Sequence, residues 1–227
     1  LRGVPEDYNE WADLGCPDWR WEKVLTAFNR LERDLDYGAE SYHGDAGPIT
    51  IRRYPHEELE LPQQAFLDSA DRLGYKYCAD ANDPDDYGAG PHPMNKLGRL
   101  RVSTAVGYLA PARIRTNLTI RANTTVTRIL FSGCKATGVE VQNADGSTET
   151  LNAHLVVLSA GALMSPKILM HSGIGPKTQL ESFDIDVIGD EPGVGQNLGD
   201  HPALSVVCEV NDPSIINHDQ PIIQTIL

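Results

Sequence analysis

The sequence predicts a mixed fold of the α+β/α/β class, in which helices and strands alternate along the chain. Residues 21–35 and 61–73 carry apolar side chains at steps of three and four, as amphipathic helices do. Residues 124–131 and 138–141 are rich in β-branched residues and flank a glycine turn, which is typical of paired strands. Residues 155–158 form an apolar run, as expected of a strand covered on both faces.

Composition excludes several classes of function. The chain has 227 residues, 41% of them hydrophobic, which is enough for a real core. Its formal charge of −13 argues against binding to nucleic acid or to anionic membrane surfaces. No apolar run approaches the length of a membrane span.

The cysteine pattern favours neither a metal site nor a disulfide framework. The four cysteines stand far apart and contain no C-x-x-C pair. A chain of this length does not need disulfides to hold its core. We therefore expect reduced and mostly buried thiols and no bound metal. The residues concerned are Cys16, Cys78, Cys134 and Cys208.

Two amphipathic helices are predicted in the first third of the chain. The apolar pattern of the first covers residues 21–35, and we expect this helix to begin near Asp18 and to end before Gly38. A short strand is expected after it, at residues 49–52. The second helix, residues 61–73, ends at a glycine stop signal. Its predicted inward side chains are Phe66, Ala70 and Leu73, and its stop signal is Gly74.

Two polar loops contain residue types that catalyse reactions or bind metals. His43 precedes a glycine-rich turn, and no acid or nucleophile stands beside it in the sequence, so we interpret it as a solvated loop histidine. Residues 80–90 include three aspartates but lack the spacing and the terminal glutamate of an EF-hand. A solvated loop is the preferred interpretation there too.

The middle of the chain leads from a basic segment into strands. Arg99 and Arg101 precede a short helix that ends at Pro111, and either arginine suits a phosphate contact or a structural ion pair. Beyond this helix, strands are predicted at residues 117–120, 124–131, 138–141 and 150–153.

Residues 155–176 predict a strand, a turn of small residues and a helix. Small residues from Ser159 to Ala162 let another group approach the backbone closely. Ser165 is the expected N-cap and Pro166 the expected first helical residue, while Ser172-Gly173 ends the helix. By itself, this geometry is about equally compatible with a turn that binds a nucleotide and with a turn that binds no ligand.

The same segment resembles a family signature. Gly161-Ala162-x-x-Ser165-Pro166-x-Ile168-Leu169-x-x-Ser172-Gly173-Ile174-Gly175 is similar at every specified position to the second signature of the glucose–methanol–choline (GMC) oxidoreductases. Similar family segments occur near both ends of the chain, with differences at Asn9 and Asp18. The resemblance therefore covers nearly the whole chain.

A second glycine-rich segment does not fit a dinucleotide fingerprint. In residues 193–199 the third glycine falls one position late, and Pro192 stands where a strand should run. The segment instead resembles the family's V-G-x-N-L-x-D-H-P passage between domains. We interpret Asp200 and His201 within it as a structural pair, and we expect a strand at residues 203–210.

The resemblance implies part of a FAD-binding, GMC-type, Rossmann-like domain joined to part of an antiparallel-sheet substrate domain. Residues 1–36 would be a helical segment of the FAD domain or lid, and residues 37–98 a partial substrate-binding domain. Residues 99–193 would belong to the FAD-binding domain. Residues 194–227 would begin a second segment of the substrate domain.

The resemblance also implies FAD as the cofactor and a small-molecule alcohol as the substrate. A hydride would pass to the flavin while a histidine base removes a proton. The backbone at Val126 would face the adenine. The other implied cofactor-binding residues are Ser159, Ala160, Gly161 and Ser165.

No catalytic residue is assigned within this chain. The N-terminal βαβ unit and the C-terminal His-His or His-Asn pair of the family would lie in further segments of the same protein, so we expect no turnover from the isolated chain. Two alternatives stay open: a hydroxynitrile lyase of the same architecture, and a non-catalytic piece that needs the other segments. The alcohol, the electron acceptor, the oligomeric state and the compartment are also open.

Overall fold

The computed structural model describes residues 1–217, 219–221 and 223–227. These residues form two compact units, the first of residues 1–118 and 208–227 and the second of residues 119–207. Within these described ranges, no helix is long and apolar enough to cross a membrane.

Helices and strands alternate in both units. The α-helices are α1 (Pro5–Asp13), α2 (Trp21–Leu31), α3 (Leu61–Arg72), α4 (Ala110–Ala112), α5 (Gly161–His171) and α6 (Lys177–Ser182). Short 3-10 helices lie at Pro17–Trp19, His56–Glu58 and Pro213–Ile215, and a π-helical turn lies at Ala105–Leu109. The strands are β1 (Glu32–Asp34), β2 (Ile49–Ile51), β3 (Gly90–Pro91), β4 (Lys96–Leu97), β5 (Leu100–Arg101), β6 (Thr124–Ser132), β7 (Lys135–Asn143), β8 (Thr148–Asn152), β9 (Ile174–Gly175), β10 (Gly189–Asp190) and β11 (Thr225–Ile226).

The first unit contains three small two-stranded sheets. β1 pairs with β2 in parallel, with Glu32 opposite Ile49 and Asp34 opposite Ile51. β3 pairs with β11, and β4 with β5, in antiparallel fashion. Its hydrophobic core gathers side chains from α3 and the loops around it. These are Tyr54, Leu59, Leu67, Ala70 and Ala89, with Met94 packed against them.

The second unit is built on an antiparallel meander of order β6-β7-β8. Thr124 pairs with Asn143 at one end of the first hairpin, and Ser132 pairs with Lys135 at the turn. Gly133 supplies the positive φ, +58°, that the turn requires. Helix α5 packs on β6, and β9 pairs with β10 in parallel.

The structure confirms the fold class and several elements while correcting their details. Helix α3 lies as predicted, but Leu67 and Ala70 are its buried residues, whereas Phe66 is exposed and Leu73 is 77% exposed. Helix α2 ends at Leu31, earlier than predicted, because the next three residues pair with β2 as strand β1. Tertiary pairing overrides the helical pattern there.

Three predicted strands are absent from the described part of the chain. Residues 117–120, 155–158 and 203–210 form no ladder, and Leu155 and Val157 are 77% and 78% exposed. A strand needs a hydrogen-bonding neighbour, and no described segment pairs with any of the three. An apolar pattern alone therefore predicted strands that this chain does not form by itself.

The cysteines are free, as expected, but mostly not buried. Cys78 lies in the interior, whereas the other three thiols are exposed. The prediction of mostly buried thiols was wrong because Cys16 is the N-cap of the short 3-10 helix at Pro17–Trp19, Cys134 lies in the turn between β6 and β7, and Cys208 lies in the exposed segment at 203–210.

Candidate functional site

The signature segment folds as a turn that opens helix α5. Residues 155–159 lie in no helix or strand, and Ala160 is the N-cap of the helix. Gly161 has φ +86°, a left-handed conformation that side chains rarely adopt. A Cβ built on it would meet nothing within 4 Å, so the space beside the turn is open.

The structure corrects the predicted role of Ser165. Ser165 is not the N-cap, because Gly161 allows the helix to begin earlier, and both Ser165 and Pro166 lie inside α5. The Ser165 Oγ accepts a hydrogen bond from the Ala160 backbone N–H at 3.0 Å. The serine therefore closes the turn from within the helix.

The first turn of α5 suits a negatively charged or polar ligand atom. The first four N–H groups of an α-helix have no acceptor within it, and Ser165 supplies one only for Ala160. The other three belong to Gly161, Ala162 and Leu163, and the residues before them are small and exposed. Backbone donors at a helix N-terminus, together with the helix dipole, favour phosphate and nucleotide oxygens.

Val126 lies on β6, the edge strand of the described meander. It pairs with Val141, is half-buried, and precedes an irregularity in the ladder between Val126 and Arg128. Among the described contacts none joins Val126 to the α5 turn. The structure thus brings Ser159, Ala160, Gly161 and Ser165 into one turn and places Val126 in the same unit.

A second site in the first unit was missed by sequence reasoning. Six charged or titratable side chains from distant segments meet in its interior, and we call them the buried charge cluster. They are Arg2, Glu32, Asp34, His43, Arg53 and Asp80. The signal available in the sequence was the Glu32-x-Asp34 spacing, which places both carboxylates on one face of a strand.

His43 is not a solvated loop residue. Its side chain is 0% exposed, its Nδ1 lies 2.6 Å from Glu32 Oε1, and its Nε2 lies 2.6 Å from Asp80 Oδ2. The prediction was wrong because Asp80 comes from a loop 37 residues away in sequence. The loop of residues 80–90 is likewise not fully solvated, since Asp80 and Asn82 are buried.

Two arginines neutralise the carboxylates of the cluster. Arg53 donates to Asp34 from Nη1 at 2.8 Å and 3.0 Å and also binds Asp80. Arg2 donates to Glu32 and to the Tyr42 carbonyl oxygen. Charge-assisted hydrogen bonds of this kind are the strong ones in proteins.

Protonation in the cluster follows from this geometry. Burial alone would lower the pKa of His43, but its hydrogen bonds to Asp80 and Glu32 outweigh burial and raise the pKa to about 9. Burial would raise the pKa of Glu32 and of Asp80, yet hydrogen bonds from His43 and the neighbouring guanidinium groups hold both below their usual range.

Three members of the cluster offer donor atoms within 4.8 Å of one another: Glu32, Asp34 and His43. Glu32 and Asp34 each already accept a hydrogen bond from a guanidinium group. Both ring nitrogens of His43 are also engaged, one with Glu32 and the other with Asp80. The donor set is therefore already paired within the protein, and its chemistry is that of an ion-pair cluster.

The remaining candidates lie on the surface. Arg99 forms an ion pair with Asp219 at 3.5 Å. Arg99 and Arg101 both line a cavity of about 440 Å³. Asp200 accepts a hydrogen bond from the His201 backbone N–H at 2.8 Å, and both residues are exposed. The contact involves the backbone of His201, so the interpretation of a structural pair of side chains stays a prediction.

Comparison with known proteins identifies the family. Residues 1–203 match the family model described as GMC oxidoreductase. An uncharacterised GMC-type oxidoreductase of Rhodococcus erythropolis is 37% identical over 100% of this chain and 45% of its own length. The 5-(hydroxymethyl)furfural oxidase of Methylovorus sp. is 39% identical over 93% of this chain and 40% of its own. An oxygen-dependent choline dehydrogenase of Photobacterium profundum is 36% identical over 96% and 38%.

Solved structures agree on the fold. Pyridoxine 4-oxidase from Mesorbium loti superposes with a TM-score of 0.78 at 32% identity, covering 85% of this chain and 38% of that one. A FAD-dependent oxidoreductase from Chaetomium thermophilum superposes with a TM-score of 0.78 at 31% identity, covering 87% and 36%. The chain spans less than half the length of each of these relatives.

Proposed function

Because this chain belongs to the GMC oxidoreductase family, we propose that it is part of a FAD-dependent enzyme that oxidises an alcohol, a CH–OH donor, by hydride transfer to flavin. The relative from Methylovorus, an oxidase of a hydroxymethyl compound, supports an alcohol as donor. The FAD-dependent oxidoreductase from Chaetomium supports the cofactor.

The observation that carries this proposal is the turn at the start of α5. Residues 159–161 are small and exposed, Gly161 holds a left-handed conformation, and the adjoining N–H groups have no acceptor within the helix. Such a turn fits a cofactor that has phosphate and ribose oxygens. The residues present therefore fit FAD.

Each cofactor-binding residue has a proposed part. Ser159, Ala160 and Gly161 would let the cofactor approach the backbone, because no long side chain stands in the way. Ser165 would keep the turn in shape through its bond to the Ala160 N–H. Val126 would present its backbone on the edge of β6 to the adenine. When bound, FAD supplies the hydride acceptor.

The domain assignment stays a prediction. We propose that residues 1–36 and 99–193 serve the FAD domain and that residues 37–98 and 194–227 serve the substrate domain. We further propose that the 227 residues alone show no turnover, because none of them is assigned to the proton transfer that alcohol oxidation requires.

The test uses the purified full-length protein that contains this chain. We expect the near-ultraviolet and visible bands of an oxidised flavin, and bleaching of the visible band when an alcohol is added without oxygen. A panel of primary aliphatic, aryl and amino alcohols would define the substrate class.

Other outcomes would contradict the proposal. A folded full-length protein without flavin bands would overturn the cofactor. A flavin that no alcohol bleaches, in a protein that cleaves cyanohydrins, would replace the oxidoreductase with the lyase alternative.

A further inference from the structure

We propose that the buried charge cluster is a proton-dependent clamp, in which His43, protonated on both ring nitrogens, holds residues 1–3 and the loop of residues 79–82 against strand β1. All six members of the cluster lie in the first unit, and none of them belongs to the α5 turn or to β6, where the flavin site is proposed.

The first argument is the geometry of the ring. Both nitrogens of His43 lie 2.6 Å from carboxylate oxygens, one of Glu32 and one of Asp80. An ionised carboxylate only accepts hydrogen bonds, so each nitrogen must donate one. A neutral imidazole has a single N–H, and the geometry therefore assigns an imidazolium.

The second argument is charge balance. Glu32, Asp34 and Asp80 contribute three negative charges, and the two guanidinium groups of Arg2 and Arg53 contribute two positive ones. The imidazolium supplies the third positive charge. Without it, one buried carboxylate has no countercharge, and unpaired buried charge is costly.

The acidic and aromatic side chains around His43 do not replace that countercharge. Asp36 lies 3.6 Å from Arg53 and is itself negative, and Asp34 Oδ2 lies 3.4 Å from the His43 Nδ1. Tyr37 and Tyr42 pack on the imidazole as neutral phenols, and Tyr42 donates to Asp83. The charged groups that face His43 therefore increase the need for its proton.

The third argument is what the cluster joins. The Arg2 guanidinium donates to Glu32 and to the Tyr42 carbonyl oxygen, and it lies 5.1 Å from the centre of the Phe28 ring. The backbone N–H of Arg2 donates to Asn82 Oδ1 at 3.1 Å. Asp80 in turn binds Arg53 and His43. The segment at residues 1–3 and the loop at residues 79–82 are thus fixed through the same charges.

The direction of the pH effect follows. The hydrogen bonds to Asp80 and Glu32 outweigh burial and raise the pKa of His43 from its ordinary value of 6.5 to about 9, so its contribution to stability is fully present below about pH 6.5. It is lost as pH rises through about 9, and the clamp should open above that pH.

The test combines two measurements on the full-length protein. Nitrogen-15 NMR of the histidine side chains should show His43 protonated on both nitrogens at pH 7 and titrating near pH 9. Hydrogen exchange followed by mass spectrometry, corrected for intrinsic rates, should show residues 1–3 and 79–82 protected at pH 7. Above pH 9 they should exchange about tenfold faster or more.

Variants separate the clamp from general stability. His43→Gln should remove the protection of these segments at pH 7 and abolish its pH dependence, whereas His56→Gln, at an exposed histidine, should behave as wild type. If His43→Gln does not fold, Asp80→Asn should instead lower the pKa of His43 towards its ordinary value.

Three results would overturn the proposal. The first is a His43 with one protonated nitrogen at pH 7. The second is protection in residues 1–3 and 79–82 that stays constant from pH 7 to 10 in the wild-type protein. The third is a stoichiometric metal ion bound to the cluster, because the metal would then supply the positive charge assigned to the proton.

Discussion

The Ser172 hydroxyl accepts a hydrogen bond from the Ile129 backbone N–H at 2.8 Å and donates one to the carbonyl of Ile168. Ser172 ends helix α5, and Ile129 lies on edge strand β6. One buried side chain therefore fixes the helix whose first turn is proposed to bind the cofactor to the strand that carries Val126. This serine of the signature segment therefore stabilises the packing of α5 on β6.

Ser172→Ala should destabilise the protein by about 1–3 kcal/mol, because it leaves the buried Ile129 N–H without an acceptor. The free energy of unfolding from urea titration measures this. Ser69→Ala is the matched control, since the exposed Ser69 hydroxyl only donates to the carbonyl four residues earlier. It should change the free energy by no more than about 0.5 kcal/mol. Equal losses in the two variants would contradict the role of Ser172.

Gly161→Ala should lower flavin occupancy. The alanine must adopt φ +86°, which costs about 1–2 kcal/mol, and the turn is expected to relax away from the geometry that admits the cofactor. Gly146→Ala is the control, because Gly146 has φ +84° and open space as well but lies in a hairpin turn. Both variants should lose similar stability, and only Gly161→Ala should lose flavin absorbance per protein. Equal flavin content would argue against a cofactor role for this turn.

Arg53→Met should destabilise the first unit by roughly 3–5 kcal/mol, because it leaves Asp34 and Asp80 buried without their guanidinium partner. Thermal and urea unfolding at pH 7 measure this change. Arg33→Met serves as the control, since Arg33 is an exposed residue of β1. Its effect should stay within about 0.5 kcal/mol. A small effect at Arg53 would mean that water compensates the two carboxylates.

Thiol labelling of the folded 227-residue chain should distinguish Cys78 from the other cysteines. Three thiols are exposed and should react with a disulfide reagent at pH 8, whereas burial keeps Cys78 out of reach and raises its pKa to about 11. We expect three thiols per chain to react rapidly with the reagent, and the fourth to react only after denaturant is added. Four rapid equivalents would show that the Cys78 region opens readily.

Local patterns explain what the sequence predicted correctly. The apolar spacing of α3, the glycine turn between β6 and β7 and the Ser172-Gly173 stop are properties of neighbouring residues, and each element lies close to its expected place. The signature segment likewise identified the family, because its specified residues lie within fifteen consecutive positions.

Long-range pairing explains what the sequence did not predict. The helical spacing of residues 21–35 predicted a helix over residues 32–34. In the structure these residues form strand β1, because they pair with β2, which begins at Ile49. His43 looked solvated because its partner Asp80 lies 37 residues further along the chain. The apolar run at residues 155–158 predicted a strand, yet a ladder also needs a neighbour that periodicity does not report.

The sequence by itself therefore determined the fold class, the family and the segment proposed to bind FAD, since these depend on short contiguous patterns. Only the tertiary structure decided that Glu32, His43 and Asp80 share one buried cluster and that Ser165 closes the α5 turn from inside the helix. The physical reason is that burial and charge pairing depend on which distant segments meet, and that is a property of the folded chain.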